Sequence, residues 1–166
     1  MGTSFDSLDI SAAFLQGNAM TRDVYVRPPN DVCISGKVWK LHRCLYGLND
    51  APRAWYKRVV EEFCKLNAKM SLYDEAMFIW IAEGVLVFIL VTHVDDFIYC
   101  GTDYWVDKII GHIRTTFKII CELHSAFKYT GLKVTQTEKG IIIDQNSYVA
   151  GLELLSLPPT DCLKKM

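Results

Sequence analysis

The chain has six cysteines, Cys33, Cys44, Cys64, Cys100, Cys121 and Cys162, but no CxxC pair and no zinc-ligand spacing. Several lie in apolar stretches, so reduced structural thiols are the better reading, and these favour an intracellular compartment without specifying which. No secretory signal is expected near the start, where Asp6 and Asp9 flank a short apolar run. The strongly apolar residues 77–91 are interrupted by Glu83 and Gly84. Each half is strand length, which excludes a membrane-spanning helix and points to a hairpin. There is no internal repeat and no low-complexity segment. Net charge is −1, whereas a free-standing nucleic-acid binder is usually more basic.

The 166 residues amount to one domain, with 51% apolar residues to build a core. Charge is unevenly spread. Residues 37–69 hold eight lysines and arginines against three acids, and residues 70–111 hold one against seven. The basic stretch could meet phosphates and the acidic one could hold metal. Two solvated helix faces are the other reading.

Short strands are predicted at Val24–Val26, stopped by Pro28 and Pro29, and at Val38–Leu41. A helix is predicted over Arg53–Asn67, with Asp50 as N-cap, Pro52 in the first turn, and Trp55, Val59, Phe63 and Leu66 at helical spacing. Met77–Tyr99 reads as strands around a Glu83–Gly84 turn and an Asp95–Asp96 turn. A second amphipathic helix fits Asp103–Phe117. Phe127–Thr135 and Ile141–Asp144 read as a hairpin through Glu138–Gly140. Ser147–Leu157 reads as a last short helix before Pro158. The expected fold class is α+β, with helices on one face of a mostly antiparallel sheet.

The chemistry centres on Asp95 and Asp96, which interrupt a buried-strand pattern. Neighbours on a strand point to opposite faces, so an adjacent acidic pair suggests a tight turn with the acids at its tip. Close carboxylates repel unless a cation compensates, and hard divalent ions are the usual compensation. Asp9 breaks the apolar stretch Leu8–Leu15 in the same way. Three carboxylates at strand ends match what two-metal phosphoryl transfer needs. Taken alone the spacing favours the blander reading, because Asp-Asp is a common dipeptide and usually a solvated turn.

Longer motifs narrow this. Leu8-Asp9-Ile10-Ser11-Ala12-Ala13-Phe14-Leu15-Gln16-Gly17 resembles the first palm motif of copia-type (LTR retrotransposon) reverse transcriptases, and Val24–Pro29 resembles the segment after it. The run from Leu45 to Tyr56 is similar to the family signature LYGLKQAPRAWY. His93-Val94-Asp95-Asp96 falls where these enzymes carry an xVDD hairpin, and Phe127–Leu132 resembles a later F-x-G-I segment. The likeness covers about residues 5–157, in order.

The resemblance implies a polymerase palm with a ferredoxin-like core over residues 1–135. Residues 136–166 would then be a C-terminal hairpin and the start of a thumb connection, with fingers, RNase H and integrase regions expected to be absent. It implies RNA-directed DNA synthesis with Mg²⁺, or Mn²⁺, held by Asp9, Asp95, Asp96 and the backbone carbonyl of Ile10. Phe14 would lie under the sugar and exclude a 2′-hydroxyl. Tyr46 and Gly47 would pack against nucleotide and template, and Arg53, with Lys57, would meet template phosphates. Implied partners are an RNA or DNA template-primer and a dNTP, with no membrane. Two features depart from the signature: Asn49-Asp50 stands where Lys-Gln is usual, and His93 stands where Tyr is more frequent. Two other readings stay open. One is a domesticated palm without polymerase activity, a structural or binding subunit with protein partners in a larger assembly. The other is a fragment of a longer polymerase.

Overall fold

Runs of aromatic and β-branched residues, each of strand length, pair into a six-stranded antiparallel sheet in a computed structural model that describes residues 5–32 and 36–152. In chain order the strands are β1 (Phe5–Ile10), β2 (Tyr25–Val26), β3 (Trp39–Lys40), β4 (Lys69–Met70), β5 (Met77–Ala82), β6 (Val85–His93), β7 (Asp96–Gly101), β8 (Ile119–His124), β9 (Ala126–Tyr129), β10 (Leu132–Thr137) and β11 (Gly140–Asp144). The main sheet has the order β4-β5-β6-β7-β1-β8, β9–β11 form a second sheet, and β2 and β3 form a small ribbon. The helices are α1 (Ala51–Lys65), α2 (Asp103–Thr116) and the short α3 (Asn146–Ala150), with a 3-10 turn at Ala13–Gln16. This is the expected α+β architecture.

Period-two alternation along the strands decides what is buried. Leu8 and Ile10 of β1, Phe78 and Trp80 of β5, Phe88 and Leu90 of β6, and Phe97 and Tyr99 of β7 share one core with Trp55, Val59 and Phe63 of α1 and Ile109, Ile110 and Ile113 of α2. Each such side chain contributes about 1.5–3 kcal/mol on burial. Edge-to-face rings knit the centre, with Phe63 lying 4.9 Å from Phe78 and 5.7 Å from Trp80. The alternate positions, including Asp9 and Asp96, fall on the opposite face, away from this core.

Several boundaries differ from expectation. Helix α1 starts at Ala51, because Pro52 suits its first turn. It stops at Lys65, because Asn67 adopts a left-handed φ of 61°. Asp50 sits at the N-cap position, but its side chain makes no capping bond. Both its oxygens instead accept from Arg22, each at 2.9 Å. The stretch Phe127–Thr135 is two strands, not one, because Thr130 and Gly131 take φ of 47° and 85° and fold it into a tight turn. The acidic turn is shifted by one residue: Val94 and Asp95 form it, and Asp96 opens β7. Strand β8 was not expected. Its half-exposed and exposed residues, Glu122 and His124 among them, carry no buried-strand pattern, and pairing with β1 specifies it.

Helix α3 covers the beginning of the helix predicted at Ser147–Leu157. The remainder of that prediction from residue 153, with Pro158, Cys33 and Cys162, lies outside the described residues. The four described cysteines are free thiols. Among the described residues no helix is long and apolar enough to cross a membrane.

Candidate active site

The carboxylates meet because β1 and β7 are neighbouring inner strands of the sheet. Their antiparallel register sets Asp9 directly opposite Asp96, and opposed residues on adjacent strands project from the same face. Asp95 lies in the two-residue turn joining His93 to Asp96. The Ile10 backbone N–H donates to the Asp95 carbonyl at 2.9 Å. This bond ties the acid-bearing turn to the residue after Asp9.

Local irregularities shape both halves. The β1–β8 register shifts between Asp9 and Ile10, a bulge of the kind that re-aims side chains beside functional sites. Beyond it the Ser11 N–H donates to the Lys118 carbonyl at 2.8 Å, and Ala12 takes a left-handed φ of 46°. The Gln16 side chain bridges back, donating to the Ser11 carbonyl while its own oxygen accepts from the Lys118 N–H at 2.8 Å. On the other half, Val94 has a φ of 57°. For a β-branched residue that conformation costs about 1–3 kcal/mol and persists only where surroundings impose it. Here the Trp55 indole N–H donates to the Val94 carbonyl at 2.6 Å.

The electrostatics record the crowding. Burial, then repulsion from Asp95 and Asp96, pushes the Asp9 carboxyl above its ordinary value. Burial and the charge of Asp95 push Asp96 up, opposed by His93. A divalent cation would reverse that sign, and an all-oxygen carboxylate set is the donor chemistry that Mg²⁺ or Mn²⁺ takes. Among the described residues, however, no three acidic, histidine or cysteine side chains converge into a closed ligand cluster. The chemistry of the donor set, three carboxylates, fits a hard cation. The Ile10 side chain is fully buried, so only its backbone faces this chemistry.

The remaining predicted residues surround the acids unevenly. Phe14 follows on the 3-10 turn and packs on Tyr46, with ring centroids 4.6 Å apart. Gly47 takes a φ of 92°, which favours glycine. Arg53 and Lys57 line a separate polar cleft with Asp50 and Glu61, along the outer side of α1. They are therefore not gathered with the acids. His93 is exposed.

Two groups escaped the sequence reading. A groove of about 460 Å³ runs over the open face past Asp9 and Asp96, and Lys128 and Lys133 from β9 and β10 line its wall. Reading 127–135 as one strand concealed the turn that brings both lysines there. Trp55 read only as one apolar position of a helix. The remaining signal was Val94, a β-branched residue in a turn too short to hold it unassisted.

Sequence comparison reaches the same family. The profile of the family described as "Reverse transcriptase (RNA-dependent DNA polymerase)" matches residues 2–161. The chain is 29% identical over 150 residues to the Retrovirus-related Pol polyprotein from transposon RE1 of Arabidopsis thaliana, covering 87% of this chain and 10% of that protein. It is 29% identical over 152 residues to the corresponding polyprotein from transposon TNT 1-94 of Nicotiana tabacum, covering 87% and 11%. The chain thus spans about a tenth of the length of these curated relatives. With the palm-like sheet and the motifs of copia-type elements on it, the chain belongs to the reverse transcriptase (RNA-dependent DNA polymerase) family.

Proposed function

We propose that this chain is the palm of a retrotransposon RNA-directed DNA polymerase and that Asp9, Asp95 and Asp96 are its metal-binding carboxylates. The observation that carries this reading is the strand register that sets Asp9 against Asp96 with Asp95 in the adjoining turn. Residues 1–135 are then the palm, and 136–166 the C-terminal hairpin and start of the thumb connection, a division that runs through β10.

The reaction is an in-line displacement. The primer 3′-hydroxyl oxygen bonds to the α-phosphorus of a dNTP, the bond to the bridging oxygen breaks, pyrophosphate leaves, and the hydroxyl proton passes to water. Divalent cations, when bound, neutralise phosphate charge and acidify the attacking hydroxyl. Asp9, Asp95 and Asp96 would hold them, with the Ile10 carbonyl. The chain's own work is positional: β1 and β7 fix the acids on one face, and the Ile10-to-Asp95 bond keeps them in step. Phe14, backed by Tyr46, presents a flat ring that can block a 2′-hydroxyl without a hydrogen bond. Gly47 permits close backbone approach, and Arg53 offers a cation to template phosphate. Lys128 and Lys133 give the groove a cationic wall suited to a phosphodiester strand.

The Asp50 departure is offset locally. Arg22 holds its carboxyl below its ordinary value through a paired hydrogen bond, so the added acid is paired with a cation where it stands. That takes away one ground for reading the chain as a non-catalytic palm.

Primer extension with Mg²⁺ or Mn²⁺ tests the proposal. Asp95→Asn is expected to lower the rate on the order of 10³-fold, several kcal/mol of transition-state stabilisation. No extension by the unaltered chain, even at high protein concentration, would sink the reading for this chain.

A further inference from the structure

We infer that Trp55 is a positioning residue whose indole N–H fixes the Val94–Asp95 peptide and thereby sets where Asp95 stands relative to Asp9. The inference rests on the polymerase reading above for its functional meaning, although the contact itself is a matter of geometry.

The turn between β6 and β7 is over-constrained. Its first residue, Val94, is β-branched and holds a φ of 57°, a conformation such side chains avoid. Its two carbonyls each meet a donor, one from either side. The Val94 carbonyl accepts the Trp55 indole N–H at 2.6 Å. The Asp95 carbonyl accepts the Ile10 N–H at 2.9 Å. Both peptide planes flanking Asp95 are therefore pinned, one to helix α1 and one to strand β1.

Trp55 suits this task because it is itself immobile. It is buried to 2% exposure, its ring meets Phe117 edge-on at 5.0 Å, and the Gly17 backbone passes closely over its own backbone. A tryptophan in this setting can deliver a fixed donor where phenylalanine would fill the same space and deliver none. Hydrophobic packing explains why an aromatic residue stands there, but not why its only polar atom points at the one strained peptide of the acidic turn.

The test separates the N–H from the ring. The full chain is ¹⁵N-labelled as wild type, as Trp55→Phe, and with benzothienylalanine at position 55, which keeps the indole shape and replaces N–H by sulfur. Amide hydrogen exchange is read at Ile10 and at core positions such as Phe97 and Tyr99, and Mn²⁺ binding is titrated directly. Removing the N–H is expected to speed Ile10 exchange and weaken Mn²⁺ binding, each on the order of tenfold or less, as for one lost hydrogen bond. Core amides should stay protected. Adding Val94→Gly to Trp55→Phe should recover part of the loss, because glycine adopts the left-handed turn without help.

Unchanged Ile10 exchange in the benzothienylalanine chain would overturn the inference, as would a loss of protection spread evenly through the core. If the wild type binds no Mn²⁺ while Ile10 exchange still responds to the N–H, the positioning role stands and the metal-centre reading fails.

Discussion

Glu62 shows what a single carboxylate can do with two cations and a histidine around it. It is buried on α1, yet accepts from Lys65 and Arg58, each at 2.7 Å, and meets His112 of α2 at 3.1 Å. Burial works against its charge, but the bonds from Lys65 and His112 and the nearby Arg58 prevail, so its carboxyl lies below the ordinary 4.5. A group whose folded value is depressed stabilises above its unfolded value and loses that contribution as pH falls through the folded one. Unfolding temperature should therefore fall more steeply for wild type than for Glu62→Gln as pH drops below about 4.5. At pH 7 the substitution should cost about 1–2 kcal/mol in urea denaturation. The acids of the candidate site were legible at this scale because Asp9, Asp95 and Asp96 each break an apolar pattern. The Val94 partner of Trp55 and the His112 partner of Glu62 were not, because a hydrogen bond across elements leaves no periodicity in the chain.

At the scale of elements, close backbone approaches carry the constraints. A Cβ on Gly101, at the end of β7, would run into the Phe88 ring and lie 2.9 Å from the Val87 carbonyl oxygen. Gly101→Ala should destabilise the sheet by about 1–3 kcal/mol, measurable by thermal or urea denaturation. A Cβ on Gly17 would come within 3.0 Å of the Trp55 backbone nitrogen. Gly17→Ala should push the 3-10 turn away from α1 and, on the polymerase reading, lower dNTP affinity through Phe14 more than it lowers stability. Comparing KM with the urea midpoint checks this. Helices α1 and α2 and the β5–β7 run were legible as elements because their apolar residues recur with periods of 3.6 and 2. Strand β8 was not, since its partner β1 supplies the specification. The split of β9 from β10 rested on Thr130 entering the left-handed region, which a β-branched residue rarely signals.

For the molecule as a whole, the two sheets differ in how firmly they are held. The main sheet is backed by helices across its core face. Strand β11 lies at the edge of the second sheet with Ile141, Ile142 and Ile143 exposed. Amide exchange should accordingly be slowest in β1 and β7 and faster by orders of magnitude in β11. The lysine-walled groove joins the two sheets, so Lys128→Ala together with Lys133→Ala should weaken binding of a primer-template duplex. The slope of log affinity against log salt should also become shallower by about 1–2. A double variant that binds with unaltered affinity and slope would exclude the groove as a phosphate path.

The place of β1, between β7 and the edge strand β8, has a further consequence, for the order of synthesis. Asp9 is synthesised well before Asp96, yet among the described residues its strand pairs with β7 and β8, from Asp96 to His124. Such distant pairing folds slowly. A nascent or prematurely terminated chain ending before β7 would carry Asp9 on a strand with no neighbours. The acidic centre therefore never exists as a partial scaffold, and any shortened product that stops ahead of residue 96 would be unfolded at the very strand meant to hold its first carboxylate.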